Sequence, residues 1–222
     1  MNNYMNNYSG SGIIPIITYN KKVYFILFSS GKNLISDAGG TLEDNNSISK
    51  TAIRELFEES CGLINITEED LQTKSIFIDI INPDKNHIFY KKIYRAYFIL
   101  IKNIDLSDLM NYYNNLKKFK PYDRNPFAET YGIHLIKLDW IHYYKNTIYM
   151  NTHTDKLKLL NMRLSIIMST IIDIYGDFDN FYDKIIKKIQ KIKLKQKKIN
   201  VNTYSYKDNT SIRVNNIITY FS

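Results

Sequence analysis

Three carboxylates, Glu55, Glu58 and Glu59, fall within five residues of the stretch Arg54-Glu55-Leu56-Phe57-Glu58-Glu59. On a helix, residues three and four apart share a face. Glu55 then stands above Glu58 and Glu59, and the three project together. Like charges at that spacing cost a helix roughly 0.2–0.5 kcal/mol per pair. A multivalent cation among the oxygens removes that cost. Hard oxygen ligands suit Mg²⁺ or Mn²⁺, which bind a few carboxylates together with substrate phosphates. The plain alternative for the same composition is a solvated anionic helix face.

The flanking residues say how such a helix would be held. A strand-like run, Asn33 to Ala38, ends in Gly39 and Gly40, read here as a loop. Asp44, Asn45 and Asn46 follow, and Ser47 is a good N-cap because its hydroxyl can accept from a free backbone N–H. Ala52, Ile53, Leu56 and Phe57 make an apolar side at helical spacing. Arg54 is one turn from Glu58 and can pair with it. Gly62 is suited to a left-handed cap at the helix end.

The whole stretch resembles the signature box of the Nudix (MutT-like) hydrolases: Gly, five residues, Glu, seven residues, Arg-Glu-aliphatic-x-Glu-Glu, x, Gly. Gly40 takes the first Gly place, and Arg54, Glu55, Leu56, Glu58 and Glu59 take the core places without a gap. The match is close over Gly39 to Gly62. Two positions depart from the pattern. Asn46, a poorer metal ligand, stands where the family has its first Glu. Cys61 stands at the closing Gly, with Gly62 one residue late, which predicts a helix one residue longer.

The resemblance implies an α/β/α sandwich and attack of water on a phosphorus of a diphosphate linked to another group. It implies Mg²⁺ or Mn²⁺ as cofactor, with Glu55, Glu58 and Glu59 as ligands and Arg54 as their orienting partner. The general base would be a box glutamate or a later loop glutamate, for which Glu129 is the candidate. Glu43 is a possible substitute acid.

At 222 residues, with 44% hydrophobic and 14% aromatic residues, the chain can bury a sizeable core as one domain with additions, or at most two small domains. Cys61 is the single cysteine, so no intramolecular disulfide forms, which fits a reducing compartment. Residues 1–12 are polar and read as a disordered N-terminus, with no signal peptide. No apolar run reaches the length of a membrane span; the richest, Leu159 to Ile174, is interrupted by Asn161, Arg163 and Asp173. These features predict a soluble, cytoplasmic protein.

Strand-like runs at Ile13–Thr18 and Val23–Ser29 are separated by a hairpin at Tyr19–Lys22. Further strands are expected at Ser75–Ile81, His87–Ile101 and Tyr131–Trp140. Helices are expected at Asp105–Phe119, Asp155–Tyr175 and Phe178–Lys198. The resulting class is α+β: a mixed sheet around residues 13–150, a helical extension over 151–200, and an unassigned tail at 201–222.

Substrate contacts would come from the loop Lys118 to Phe127, where Lys120 and Arg124 offer cations for phosphate and Tyr122 and Phe127 offer rings for stacking. A solvated loop is the alternative. Four scattered histidines argue against a histidine metal site.

The net charge of +8 is local. Lys184 to Lys198 holds 8 lysines and no acid, and the rest of the chain balances at 22 basic against 22 acidic residues. Such a helix docks on the body, contacts an RNA backbone or, as a third alternative, lies on a membrane surface. The expected substrate is a diphosphate-containing nucleotide, with capped RNA as a specific case. The rival is a catalytically weakened Nudix-like module that binds RNA through this segment.

Overall fold

The computed structural model describes residues 7–29, 34–43, 47–81, 92–101, 109, 111, 132–138, 141–144, 147–151 and 157–188. Its centre is β1 (Tyr8–Tyr19), a strand with an unbroken buried run from Gly10 to Ile17. Asn20 and Lys21 both take positive φ, 49° and 62°, which is the two-residue turn that joins twisted strands, and the chain returns as β2 (Lys22–Ser29). Short strands β3 (Ile35–Ser36) and β4 (Ala38–Thr41) follow. After α1 (Ile48–Glu59) and α2 (Glu68–Lys74) come β5 (Ser75–Ile81), β6 (Ile93–Leu100) and β7 (Gly132–Lys137).

These seven strands form one mixed sheet. One edge of β1 runs parallel to β6 along its length. The other edge is divided: residues 10–13 pair with β4, and 16–19 pair with β2. Pro15 sits at this fork. Ile16 turns its carbonyl toward the β6 side to accept from Ile101, so the edge where Pro15 lacks a donor faces the gap between β4 and β2.

The sheet is buried on both faces, because neighbouring residues of β1 and β2 supply opposite cores. Ile14, Ile16, Phe25 and Leu27 face one side, where they meet α3 (Met162–Tyr175) and the helical residues 178–188 through Leu164, Ile167, Met168, Ile171, Phe181 and Ile185. Ile13, Ile17, Ile26 and Phe28 face the other side, against Ala52 and Leu56 of α1, Leu71 of α2, and Leu109. Helices on both faces of a mixed sheet make the expected α+β sandwich with added C-terminal helices. A second sheet of three strands is made by β8 (Ile141–Tyr144), β9 (Thr147–Asn151) and β10 (Leu157–Leu159).

Several expected boundaries change. β1 begins at Tyr8, so residues 8–12 are ordered strand and not disordered; pairing with both β4 and β6 holds them. Gly39 and Gly40 lie within β4 and not in a loop. The helix expected from Asp155 begins only at Met162. Residues 157–159 pair with β9, and Asn161 caps the helix by accepting from the Leu164 N–H. α1 is not lengthened at its end: Glu59 is its last residue. Cys61 itself takes the left-handed place, φ 55°, and donates to the Glu58 carbonyl, while Gly62 donates back to Phe57. Phe57, expected on the apolar side, is 40% exposed. The helix at Asp105–Phe119 lies outside the described residues apart from positions 109 and 111.

Leu56 ties α1 to the sheet and is fully buried. Leu56→Ala is expected to destabilise the chain by roughly 2–5 kcal/mol. Equilibrium urea unfolding should show a lower midpoint at unchanged slope.

Candidate functional site

Helix α1 starts at Ser47, whose side chain accepts from the Lys50 N–H. Ala52 and Leu56 turn inward, and the adjoining strip, Glu59 and Glu55 with Glu58 beyond them, lies along the side of the helix that meets β4. The approach is close. A Cβ on Gly40 would lie 2.2 Å from Glu55 Oε1, so any side chain there would push that carboxylate aside. Glu59 Oε1 accepts from the Gly39 N–H at 3.2 Å.

Arg54 lies among the acids. Its Nη2 donates to Glu55 Oε1 at 2.6 Å and its Nη1 to Glu58 Oε2 at 2.8 Å. Nη2 also lies 3.2 Å from Glu43 Oε1, while the buried Nε of Arg54 has no hydrogen-bond partner among the described residues. The expected Arg54–Glu58 pair is therefore present, and Glu43 joins the cluster through Arg54.

A second, buried group adjoins this one. Asp37, fully buried between β3 and β4, accepts from Tyr94 Oη at 2.6 Å and from Arg163 Nε at 2.8 Å. Arg163 also donates to the carbonyl oxygen of Gly39 at 2.8 Å.

The local charge balance is negative: Asp37, Glu43, Glu55, Glu58 and Glu59 surround Arg54 and Arg163. Burial pushes the Glu59 carboxyl up to about 8, and the charge of Asp37 pushes the same way against Arg163 and the Gly39 N–H. Burial also holds Glu55 above its ordinary value, against the pull of Arg54. Burial and Asp37 raise the Tyr94 hydroxyl well above its usual range, so it remains a donor.

A hard divalent cation suits this set by donor chemistry and charge. The donors are oxygens, they are crowded and partly desolvated, and each of the three glutamates keeps one oxygen outside the bonds just given. They do not converge as they stand: among the described residues, no three acidic, His or Cys side chains come close enough together to hold a metal ion. Arg54 is bonded to both Glu55 and Glu58, between which a cation would have to compete.

Glu129, Lys120, Tyr122, Arg124, Phe127 and Asn46 lie outside the described residues. So does most of the lysine-rich segment. Of its described members, Lys184 and Lys187 are exposed. Lys188 turns inward and donates to the Ser75 carbonyl at 2.7 Å. Motif reasoning missed Asp37, Tyr94 and Arg163. The available signal was a charge set inside an apolar run: Arg163 interrupts Leu159–Ile174, and Asp37 follows buried Ile35 and Ser36. Among the described residues, no helix is long and apolar enough to cross a membrane.

No protein-family model matches the chain, and no curated protein matches it. Solved structures do. A MutT/nudix family protein from Enterococcus faecalis is 13% identical, with a TM-score of 0.46 over 75% of this chain and 62% of that protein, so the match spans less than two thirds of its length. A pyrophosphohydrolase from Bacillus subtilis is 13% identical, with a TM-score of 0.42 over 86% of each chain. A bifunctional NMN adenylyltransferase/ADP ribose pyrophosphatase from Francisella tularensis, complexed with AMP and a manganese ion, is 19% identical, with a TM-score of 0.42 over 75% of this chain and 42% of that one. At these identities and TM-scores the likenesses assign no activity to this chain.

The raised Glu59 carboxyl has a consequence for stability. The folded chain keeps this proton up to about pH 8, whereas an unfolded chain releases it near 4.5. Between those values the folded state binds more protons, so stability falls as pH rises. Glu59→Gln should match the unaltered chain at pH 4.5 and exceed it at pH 8.5, by on the order of a few kcal/mol. Urea unfolding of both proteins in EDTA at the two pH values checks this.

Proposed function

We propose that this chain is a divergent Nudix-type hydrolase, dependent on Mg²⁺ or Mn²⁺, that cleaves a diphosphate linkage in a nucleoside diphosphate joined to another group. The observation that carries this reading is the set Glu55, Glu58 and Glu59 on one helix: Glu55 lies against Gly40, Glu59 accepts from the Gly39 N–H, and Arg54 bonds Glu55 and Glu58. A diphosphate is itself anionic, so this acidic face alone would repel it. A divalent cation held by the three glutamates would neutralise the diphosphate and lower the pKa of a bound water.

The chain's own groups supply the rest. Arg54 holds Glu55 and Glu58 in one orientation, as supporting groups beside metal ligands do. Glu59 is held by the Gly39 N–H and gives up its proton when a cation is bound, which ties metal affinity to pH. In the hydrolysis, the water oxygen bonds to one phosphorus and the anhydride oxygen leaves with the other phosphate. Glu129 and the residues Lys120, Tyr122, Arg124 and Phe127 are proposed for base and substrate contacts from their place in the sequence.

Capped RNA is the first substrate to test, because exposed Lys184 and Lys187 begin a run of lysines that suits a phosphate backbone. The assay is phosphate release from dinucleotides, nucleotide sugars, inositol pyrophosphates and capped RNA, with and without Mg²⁺. The expected result is metal-dependent release from at least one substrate. Glu58→Gln and Glu59→Gln should each lower it by about 100-fold or more, the upper range for weakening a metal site. No metal-dependent release from any substrate would sink the reading, and tight salt-dependent RNA binding without turnover would favour a binding module.

The lysine run makes a separate prediction. Lys184→Glu with Lys187→Glu should weaken RNA binding and reduce the slope of log K against log salt by roughly 0.7–0.9 per lost phosphate contact. Filter binding at several salt concentrations measures it.

A further inference from the structure

Gly39 is held from both sides. Its N–H donates to Glu59 Oε1, and its carbonyl accepts from Arg163 Nη2 at 2.8 Å. Arg163 comes from α3, far along the chain, and reaches three acceptors on one short segment: Asp37 Oδ1 at 2.8 Å, Ser36 Oγ at 3.1 Å and the Gly39 carbonyl. The adjoining cap residue reinforces this contact. Asn161 donates from its backbone to the Ile35 carbonyl at 2.9 Å and from Nδ2 to Ser36 Oγ at 2.8 Å. The guanidinium also lies 4.7 Å from the centre of the Tyr94 ring.

Helix stability does not account for an arginine here. Arg163 is in the first turn of α3, where the helix dipole disfavours a cation by roughly 0.3–1 kcal/mol. Net stability is also a poor account, since buried ion pairs are often no better than apolar replacements of similar volume. The bonds instead converge on the strand that faces the glutamates. A planar fork can reach Asp37 and Gly39 together, whereas a lysine can offer only a point charge.

We propose that Arg163 is a positioning residue: it fixes Gly39 and, through the Gly39 N–H, sets the place of Glu59 in the site. Its bearing on cation binding rests on the metal-site reading given above. The C-terminal helix is then part of the site's construction, and the acidic helix depends on it for its geometry.

The test uses the full chain with Arg163→Lys, the pair Arg163→Met with Asp37→Asn, and Tyr94→Phe. The pair avoids leaving a buried aspartate without its cation. Tyr94→Phe removes a bond to the same Asp37 but touches no bond of Gly39, so it serves as the structural control. Two readouts are taken: exchange of the Gly39 amide by NMR, and binding of Mn²⁺ alone by electron paramagnetic resonance.

Both Arg163 variants should lose Gly39 amide protection at least about tenfold and Mn²⁺ affinity about 10- to 100-fold. Tyr94→Phe should keep both within about threefold of the unaltered chain. Folded Arg163 variants with unchanged Gly39 protection would overturn the proposal. So would a Tyr94→Phe chain with losses equal to theirs, since the effect would then be general loosening. If the unaltered chain binds no Mn²⁺, the metal reading fails, and Gly39 exchange alone still decides whether Arg163 positions the strand.

Discussion

Helix α1 brings the Glu55 carboxylate against β4 at Gly40, where no side chain stands in its way. A methyl group on Gly40 would overlap the Glu55 carboxylate, and one on Gly39 would overlap the Tyr94 hydroxyl. The close approach has two effects. It puts the Gly39 N–H within reach of Glu59, and it takes Glu59 and Glu55 partly out of water. Desolvation is the first cause of the raised Glu55 and Glu59 carboxyls, because a carboxylate on an open helix face would keep its ordinary acidity.

Five acids around two guanidiniums are an unfavourable arrangement for a folded chain to keep without compensation. The compensation present is partial. Arg54 bonds to Glu55 and Glu58 from within the same helix, and Arg163 answers Asp37 from another. Among the described residues, Glu59 is answered by a backbone N–H and the more distant Arg163, and burial pushes its carboxyl up to about 8. A site whose acids exceed its bases, and whose buried member exchanges its proton near neutral pH, is suited to a ligand of concentrated positive charge. This is the physical content of the metal-site proposal.

The sheet that carries the site is covered on both faces, and the two faces serve different ends. α1 and α2 close one face and present the acids. α3 and the helical residues 178–188 close the other, and α3 sends Arg163 to the strand edge where β1 changes partners from β2 to β4. That fork leaves Asp37 in the short link between β3 and β4, buried and reachable by a long side chain from below. Lys188 likewise turns in to cap the Ser75 carbonyl at the start of β5, so one member of the lysine run serves the fold.

Local patterns were legible wherever a residue type has one physical reading. The Ser47 cap, the Arg54–Glu58 pair, the strand Ser75–Ile81 and the hairpin at Asn20–Lys21 all follow from nearest-neighbour chemistry. Patterns with two readings went astray. Gly39-Gly40 reads as a loop but is strand, because β1 offers it a partner of glycines and small residues. Residues 157–159 read as helix, yet β9 takes them as a strand before Asn161 can cap. Gly62 reads as the left-handed cap, but Cys61 takes that place and Gly62 follows it. α2 was not read at all, although Thr67 and Asp70 form a reciprocal cap.

The sequence by itself determined the three-glutamate face, its cap and its arginine, because residues within two turns of one helix meet whatever the rest of the chain does. Tertiary structure alone decided that Glu59 would be drawn largely out of water beside Asp37, and that Arg163 would reach Gly39 across more than a hundred residues. No spacing rule links positions 37, 94 and 163. They meet because the strand pairing of β1, β4 and β6 and the docking of α3 bring them to one place, and the acidity of the site depends on that meeting.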